Sequence, residues 1–217
     1  MRQWTIRFCS LICGLFLFAL GSVIIINANV GYSPWEVFHV GLSLLTGMTI
    51  GTAVIVTGLF ITVVDVICQE RIGVGTLANM VLVGLFIDLI MFSQLILQTN
   101  DTIIGILMLI IGLLVNSFGC YLYIKSGFGA GPRDSLMVVI KRKTKLPIGV
   151  SRGLLELSAI IIGSLLGGMV GIGTLISIVA GSYFIQMVFK IMKFDAAKIE
   201  HESFLDTYNK LTKTKQN

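Results

Sequence analysis

Charge is what this chain has least of. Asp, Glu, Lys and Arg make up 12% of its 217 residues, whereas a soluble domain carries about 25%; an ordinary water-exposed surface is excluded. With 55% hydrophobic residues and a mean hydropathy of +0.94, the chain reads as an integral membrane protein whose first partner is the lipid bilayer. Proline is nearly absent: Pro34, Pro132 and Pro147 are the only three, and all lie between apolar runs. Histidine occurs twice, at His39 and His201, and cysteine four times, at Cys9, Cys13, Cys68 and Cys120. The cysteines sit within or at the ends of apolar runs, with neither metal-site nor disulfide spacing, so packing is their expected role. No nucleophile–base pairing, metal-ligand cluster or cofactor motif is discernible, so the chain is not expected to be an enzyme or to hold a metal or cofactor.

What is present is length of apolar sequence. Six runs approach the ~20 residues that cross a bilayer as a helix: Phe8 to Ile26, Gly51 to Cys68, Thr76 to Leu97, Ile103 to Ile124, Gly149 to Gly167, and Thr174 to Phe189. The fold class is therefore all-α and membrane-spanning. The chain is also internally duplicated. A gap-free shift of 98 positions lays Gly31-Tyr-Ser-Pro-Trp-Glu36 on Gly129-Ala-Gly-Pro-Arg-Asp134, and Gly73-Val-Gly-Thr-Leu77 on Gly171-Ile-Gly-Thr-Leu175. From Leu11 to Ile90, twenty of eighty positions equal their counterparts, with glycine and proline punctuation preserved. The first run follows Arg2 and Arg7 and has a signal-peptide outline, but its counterpart is the internal run from Ile103, which argues for retention.

Charge gives orientation. With the N-terminus in the cytoplasm, all sixteen Lys and Arg residues fall on one side, satisfying the positive-inside rule. Both termini are then cytoplasmic. The net charge of +5 follows from orientation and leaflet electrostatics, without a nucleic-acid partner. Three spans per copy is an odd number, so the second copy is inverted relative to the first, an arrangement used by secondary transporters. The domains are residues 1–98, the first repeat; 99–193, the second; and 194–217, a polar cytoplasmic tail expected to form a short helix.

Each copy contains an additional short helix after its first span. Ser33-Pro-Trp-Glu36 has the form of a capping box with proline at the first helical position. The helix over 33–46 stops at Gly47 and is too short to span; its counterpart is 131–146, opened by Pro132 and ending in Lys141, Arg142, Lys143 and Lys145. Acid at the start and base at the end suit the helix dipole. Two placements fit these half-helices: flat in the interface, or dipping inward with their glycine-loosened N-termini at a cavity.

The candidate solute- or ion-binding residues follow from this arrangement. Glu36 and Asp134 occupy the first turns of the half-helices, where they either cap their own helix or face a site. Arg133, beside the Gly129–Gly131 turn, suits an anionic group or an internal acid. Glu36 and His39 share the Glu-x-x-His spacing of di-iron bundles, but Asp134 and Met137 stand at the counterpart positions. Asp88 lies about 18 Å along its span from Thr76, and an intramembrane carboxylate points to function. Asp65, near the inner end of its span, is expected to reach solvent or Arg71. Arg152 and Glu156 lie one turn apart, so they either pair or leave Glu156 to carry a coupling proton. Gly14 with Gly21, and Gly112 with Gly119, are small residues seven apart that permit close helix approach; Gly163 and Gly167 form a further small-xxx-small stripe. The Gly-x-Gly-Thr turns lack the lysine of a P-loop and read as tight turns opening spans three and six.

Pro34-Trp-Glu-Val-x-His39-Val-Gly-Leu-Ser43, Gly129-x-Gly-Pro-Arg-Asp134-x-Leu-Met137 and the paired Gly-x-Gly-Thr turns resemble the bacterial YczE/YyaS/YitT-type membrane proteins, closest to the YczE branch, over about Gly31 to Phe189. The resemblance implies a multi-pass protein of the bacterial cytoplasmic membrane and carries no catalytic residues. The leading functional expectation is a transporter or exporter of an unidentified small solute or ion. Its central site would be built from Glu36, Asp88, Gly129, Gly131, Arg133, Asp134 and Glu156, with Asp88 or Glu156 as coupling group. Two rivals are a substrate-binding subunit of a multi-component importer, whose usual Ala-x-x-x-Ala docking pattern is missing from Phe8 to Ile26, and a non-transporting assembly or regulatory factor docking through Lys141 to Lys145. A homo-oligomer or a membrane-protein partner is compatible with either.

Overall fold

Four glycines set the centre of the molecule. In this computed structural model, which describes residues 2–70, 72–195 and 199, helices α1 (Arg2–Asn27) and α5 (Thr102–Lys125) pack antiparallel. A Cβ on Gly14 would meet the Gly119 carbonyl oxygen at 2.9 Å, and one on Gly21 the Gly112 carbonyl oxygen at 2.7 Å. No side chain fits between the two backbones. In lipid, where apolar burial drives helices together little, such close contact is what holds them. The glycine pairs read from the sequence as packing residues therefore form the central seam.

The remaining described helices are α2 (Pro34–Thr46), α3 (Ile50–Ile67), α4 (Val74–Ser93), α6 (Pro132–Thr144), α7 (Ile148–Leu165) and α8 (Ile172–Ile191). The shift of 98 found in the sequence carries the bounds of α2 onto α6, α3 onto α7 and α4 onto α8. Among the described residues, five helices are long and apolar enough to cross a membrane: Trp4–Asn27, Ile50–Ile67, Val74–Ser93, Thr102–Lys125 and Ile172–Ile191. The other expected span becomes α7, which counts as a sixth crossing only together with α6, from which it is bent by 119°. Large apolar side chains such as Phe60, Leu89, Phe92 and Val179 point outward, as lipid-facing surfaces require. The expected tail helix lies outside the described residues.

Helices exchange between the copies. α2 packs on α7, and its counterpart α6 packs on α3. At the first of these contacts a Cβ on Gly163 would lie 2.5 Å from Phe38 N. The second residue of the expected stripe, Gly167, instead lies beyond α7 with φ +98; it ends the helix rather than packing within it. At the α3–α6 contact, Arg142 donates to the Cys68 carbonyl at 2.6 Å and lies 3.0 Å from Glu70 Oε2.

Asp65 does not reach solvent, and its other expected partner, Arg71, lies outside the described residues. Asp65 is 0% exposed, and neither carboxylate oxygen has a hydrogen-bond partner among the described residues. A position that span arithmetic put at the interface is thus buried within the protein.

Candidate functional site

The half-helix starts are built alike. Ser33 and Gly131 occupy the N-cap positions with φ/ψ of −68/160° and −62/157°, and a proline follows each. Two residues upstream, Gly31 and Gly129 adopt φ +107° and +128°, a region closed to most side chains. Each loop is clipped to the Gly-x-Gly-Thr turn of the other copy. Gly75 N–H donates to the Phe128 carbonyl at 2.7 Å, and Gly173 N–H donates to the Val30 carbonyl at 2.8 Å. The Thr76 hydroxyl adds a 2.6 Å bond to the Ala130 carbonyl. The turns thus serve as docking points for the half-helix loops as well as openings of α4 and α8.

Both N-termini enter one cavity of about 300 Å³ lined by residues of all eight helices. The first turns are buried, with Pro34, Glu36, Pro132 and Ser135 inside, while Leu44, Leu45 and Lys141 to Lys145 at the far ends are exposed. Of the candidate residues, Glu36, Gly131, Arg133, Asp134 and Glu156 line the cavity. Gly129 lies outside it, in the loop against Gly73. Asp88 is also elsewhere, on the α3–α4 seam, where Oδ1 accepts the Gly51 N–H and Oδ2 the Thr49 hydroxyl.

Within the cavity the acids are held by neutral donors. The Ser22 hydroxyl donates to Glu36 Oε1 at 2.8 Å, and Ser22 Oγ in turn accepts from Asn116 Nδ2 at 3.3 Å. The capping box expected at Ser33 does not form: Ser33 makes no side-chain cap bond, and the Glu36 carboxylate is turned toward α1. Asp134 Oδ2 accepts the Tyr123 hydroxyl. Arg133 crosses between the copies, its guanidinium carbon 4.6 Å above the Trp35 ring and Nη2 3.3 Å from His39 Nε2. Arg152 and Glu156 form the expected pair, Nε to Oε1 at 2.7 Å. No cluster of three or more His, Cys, Asp or Glu residues suited to a metal ion occurs among the described residues.

Sequence reasoning missed Ser22, Asn79, Asn116 and Tyr123 as lining or anchoring groups. The two asparagines and Ser22 were detectable, since polar residues inside apolar spans turn toward protein or water. Tyr123 had no distinguishing signal, because a tyrosine near a span end reads as an interfacial anchor.

Fold and cavity together define an all-helical, multi-pass membrane protein with a charged interior. The chain belongs to the family described as a family of unknown function, DUF6198, whose match covers residues 5–190. It is 34% identical over 178 residues to the "uncharacterized membrane protein YczE" of Bacillus subtilis (strain 168), covering 81% of this chain and 80% of that one. A protein of Haemophilus influenzae described as uncharacterized is 32% identical over 176 residues, 80% of each chain. The "uncharacterized protein YyaS" of B. subtilis is 26% identical over 183 residues, 83% of this chain and 90% of that one. The resemblance read from the proline motifs is therefore real. No solved structure matches the chain.

Proposed function

We propose that the protein is a small-solute transporter of the bacterial cytoplasmic membrane, with its termini in the cytoplasm and its site between two inverted repeats. Antiparallel packing of α1 on α5 and the exchanged contacts of α2 with α7 and α6 with α3 support the inversion. The observation that carries the transport reading is a difference between equivalent seams. α3 lies packed along α4, so that a Cβ on Gly51 would meet Asp88 Oδ1 at 2.6 Å. The counterpart helices α7 and α8 stand apart, and a Cβ on Gly149, the counterpart of Gly51, would meet nothing within 4 Å. One repeat is shut where the other is ajar, and residues of both α7 and α8 line the cavity. Exchange of these two states between the repeats would expose the site to alternate sides.

Glu156 has a place in this cycle. Its counterpart, Gly58, lies under Met80 of α4, where an added Cβ would be 2.7 Å from Met80 Cγ. Closing α7 onto α8 in the same way would bury Glu156, and where that closure parts it from Arg152 the carboxylate must take up a proton, because an unpaired charge in the bilayer is costly. Glu156 is thus the coupling group of this reading, and Asp88 holds the closed seam.

The test is flux. Purified protein in proteoliposomes, screened against labelled metabolites and ions with and without a proton gradient, should accumulate one solute class, and Glu156→Gln should abolish gradient-driven uptake while folding is retained. A thermal-shift screen of the same library should identify that class by a rise in melting temperature. If no solute is bound or moved, the transport reading fails and docking through the basic end of α6 becomes the better account.

A further inference from the structure

The cavity is lined by five acidic or basic side chains, Glu36, Arg133, Asp134, Arg152 and Glu156, yet only Arg152 and Glu156 form a direct ion pair among the described residues. Among the described residues Arg133 makes no direct ion pair: Glu36 and Asp134 act on it electrostatically, while its contacts are the Trp35 face and His39. A guanidinium carries five N–H donors in a planar fork, so most of this fork remains free to meet a ligand. Its stacking on Trp35 fixes the plane and satisfies part of the charge through the ring quadrupole, which orients the fork without neutralising it. Glu36 and Asp134 are likewise fixed by neutral hydroxyls, those of Ser22 and Tyr123, each to a single oxygen. Positive and negative groups therefore line one cavity, each held in place, and among the described residues only Arg152 and Glu156 are in direct ion-pair contact.

Burial of such groups in a membrane interior is unfavourable unless a ligand completes the pairing. A simple anion would meet Arg133 but also two carboxylates. A simple cation would meet the carboxylates but also Arg133. A zwitterion satisfies both. The cavity of about 300 Å³ lies at the small end of ligand sites, and the wall beyond the charges is mostly apolar, with Val54, Leu113, Ile178 and Ile185 beside Ser117 and Ser177.

We propose that the solute is an amino-acid-sized zwitterion, its carboxylate on the Arg133 fork, its ammonium group between Asp134 and Glu36, and its apolar side chain toward α5 and α8. This deepens the transport reading and rests on it. After the zwitterion pairs Arg133 and one acid, the other acid remains as one formal negative charge, which a single proton neutralises.

The test uses three forms of one molecule on the full-length purified chain. Leucine is the zwitterion, leucinamide the cation and N-acetyl-leucine the anion, with the other amino acids and glycine betaine completing the zwitterion set. At least one zwitterion should raise the melting temperature in a concentration-dependent way, and its amide and N-acetyl forms should bind at least tenfold more weakly. Arg133→Gln and Asp134→Asn should each remove that shift, with monodisperse elution reporting retained folding; Arg142→Gln, outside the cavity, should leave it intact. Binding of the amide or the N-acetyl form as tightly as the zwitterion overturns the proposal, as does a zwitterion shift that survives both cavity variants. If no zwitterion binds but another solute class is transported, the substrate assignment falls and the transporter reading stands. If nothing of any class binds or moves, both fall.

Discussion

Asp88 of α4 accepts the backbone N–H of Gly51, at the start of α3, at 2.8 Å, while its other oxygen accepts the Thr49 hydroxyl at 2.6 Å. A carboxylate at a helix N-terminus satisfies an orphan donor and complements the dipole. At the counterpart positions stand Gln186, Gly149 and Pro147, none of which supplies that charge or hydroxyl. The two seams are built with different fasteners. Asp88→Ala should cost about 1–3 kcal/mol, as expected for losing hydrogen bonds to a charged group, and should raise amide exchange in the first turn of α3. Asp88→Asn, which keeps one acceptor, should lose less. Unchanged exchange in Asp88→Ala would remove the latch.

Gly51 and Gly149 offer the same substitution in two environments. In Gly51→Ala the new methyl would press on Asp88 and the Gly84 carbonyl, so about 1–3 kcal/mol should be lost to overpacking. In Gly149→Ala the methyl meets open space, and the helix gains about 0.5–1 kcal/mol from reduced chain entropy. Stability should be equal or higher, yet flux should fall, because the methyl obstructs closure of α7 on α8. Chemical melts and proteoliposome flux on the pair separate these effects, and full transport by Gly149→Ala would argue against closure at that seam.

Glycine spacing, proline placement and the shift of 98 made the helix order and the α1–α5 seam legible before any coordinates. They signalled local backbone requirements, and those are written in the residues that meet them. The placement of side chains was less accessible. Glu36 could be read either as its own helix cap or as facing a site, and only the position of Ser22 on α1, fourteen residues earlier, shows which way it turns. Asp65 looked solvated because its distance along α3 was known and its burial within the protein was not. Asp88 was read as central from its depth and from its polar counterpart Gln186, but its direction around α4 aims it at the start of α3. Depth follows from counting; direction needs the neighbours.

Tyr123→Phe isolates one bond. The ring keeps its edge-on packing against Phe18, with centroids 6.4 Å apart, while Asp134 loses its hydroxyl donor. The fold should tolerate the change, with a melting temperature close to wild type. Solute binding should weaken about tenfold or more, the loss expected when a hydrogen bond to a charged group is removed. Equal affinity in the variant would show that Tyr123 does not set the orientation of Asp134.

Closure itself can be caught with a cross-link. With Cys9, Cys13, Cys68 and Cys120 replaced by alanine, cysteines are placed at Gly153 and Ser182, the counterparts of the touching pair Ile55 and Gly84. A disulfide needs Cα atoms about 4.4–6.8 Å apart, which the splayed α7 and α8 do not offer but a closed seam would. Oxidation should trap little product in the resting protein and more when Glu156→Gln removes the charge that opposes burial between these helices. Solute that closes the seam should act in the same direction. If the yield is the same in all three conditions, α7 and α8 do not approach each other, and rocking of the second repeat is the wrong motion.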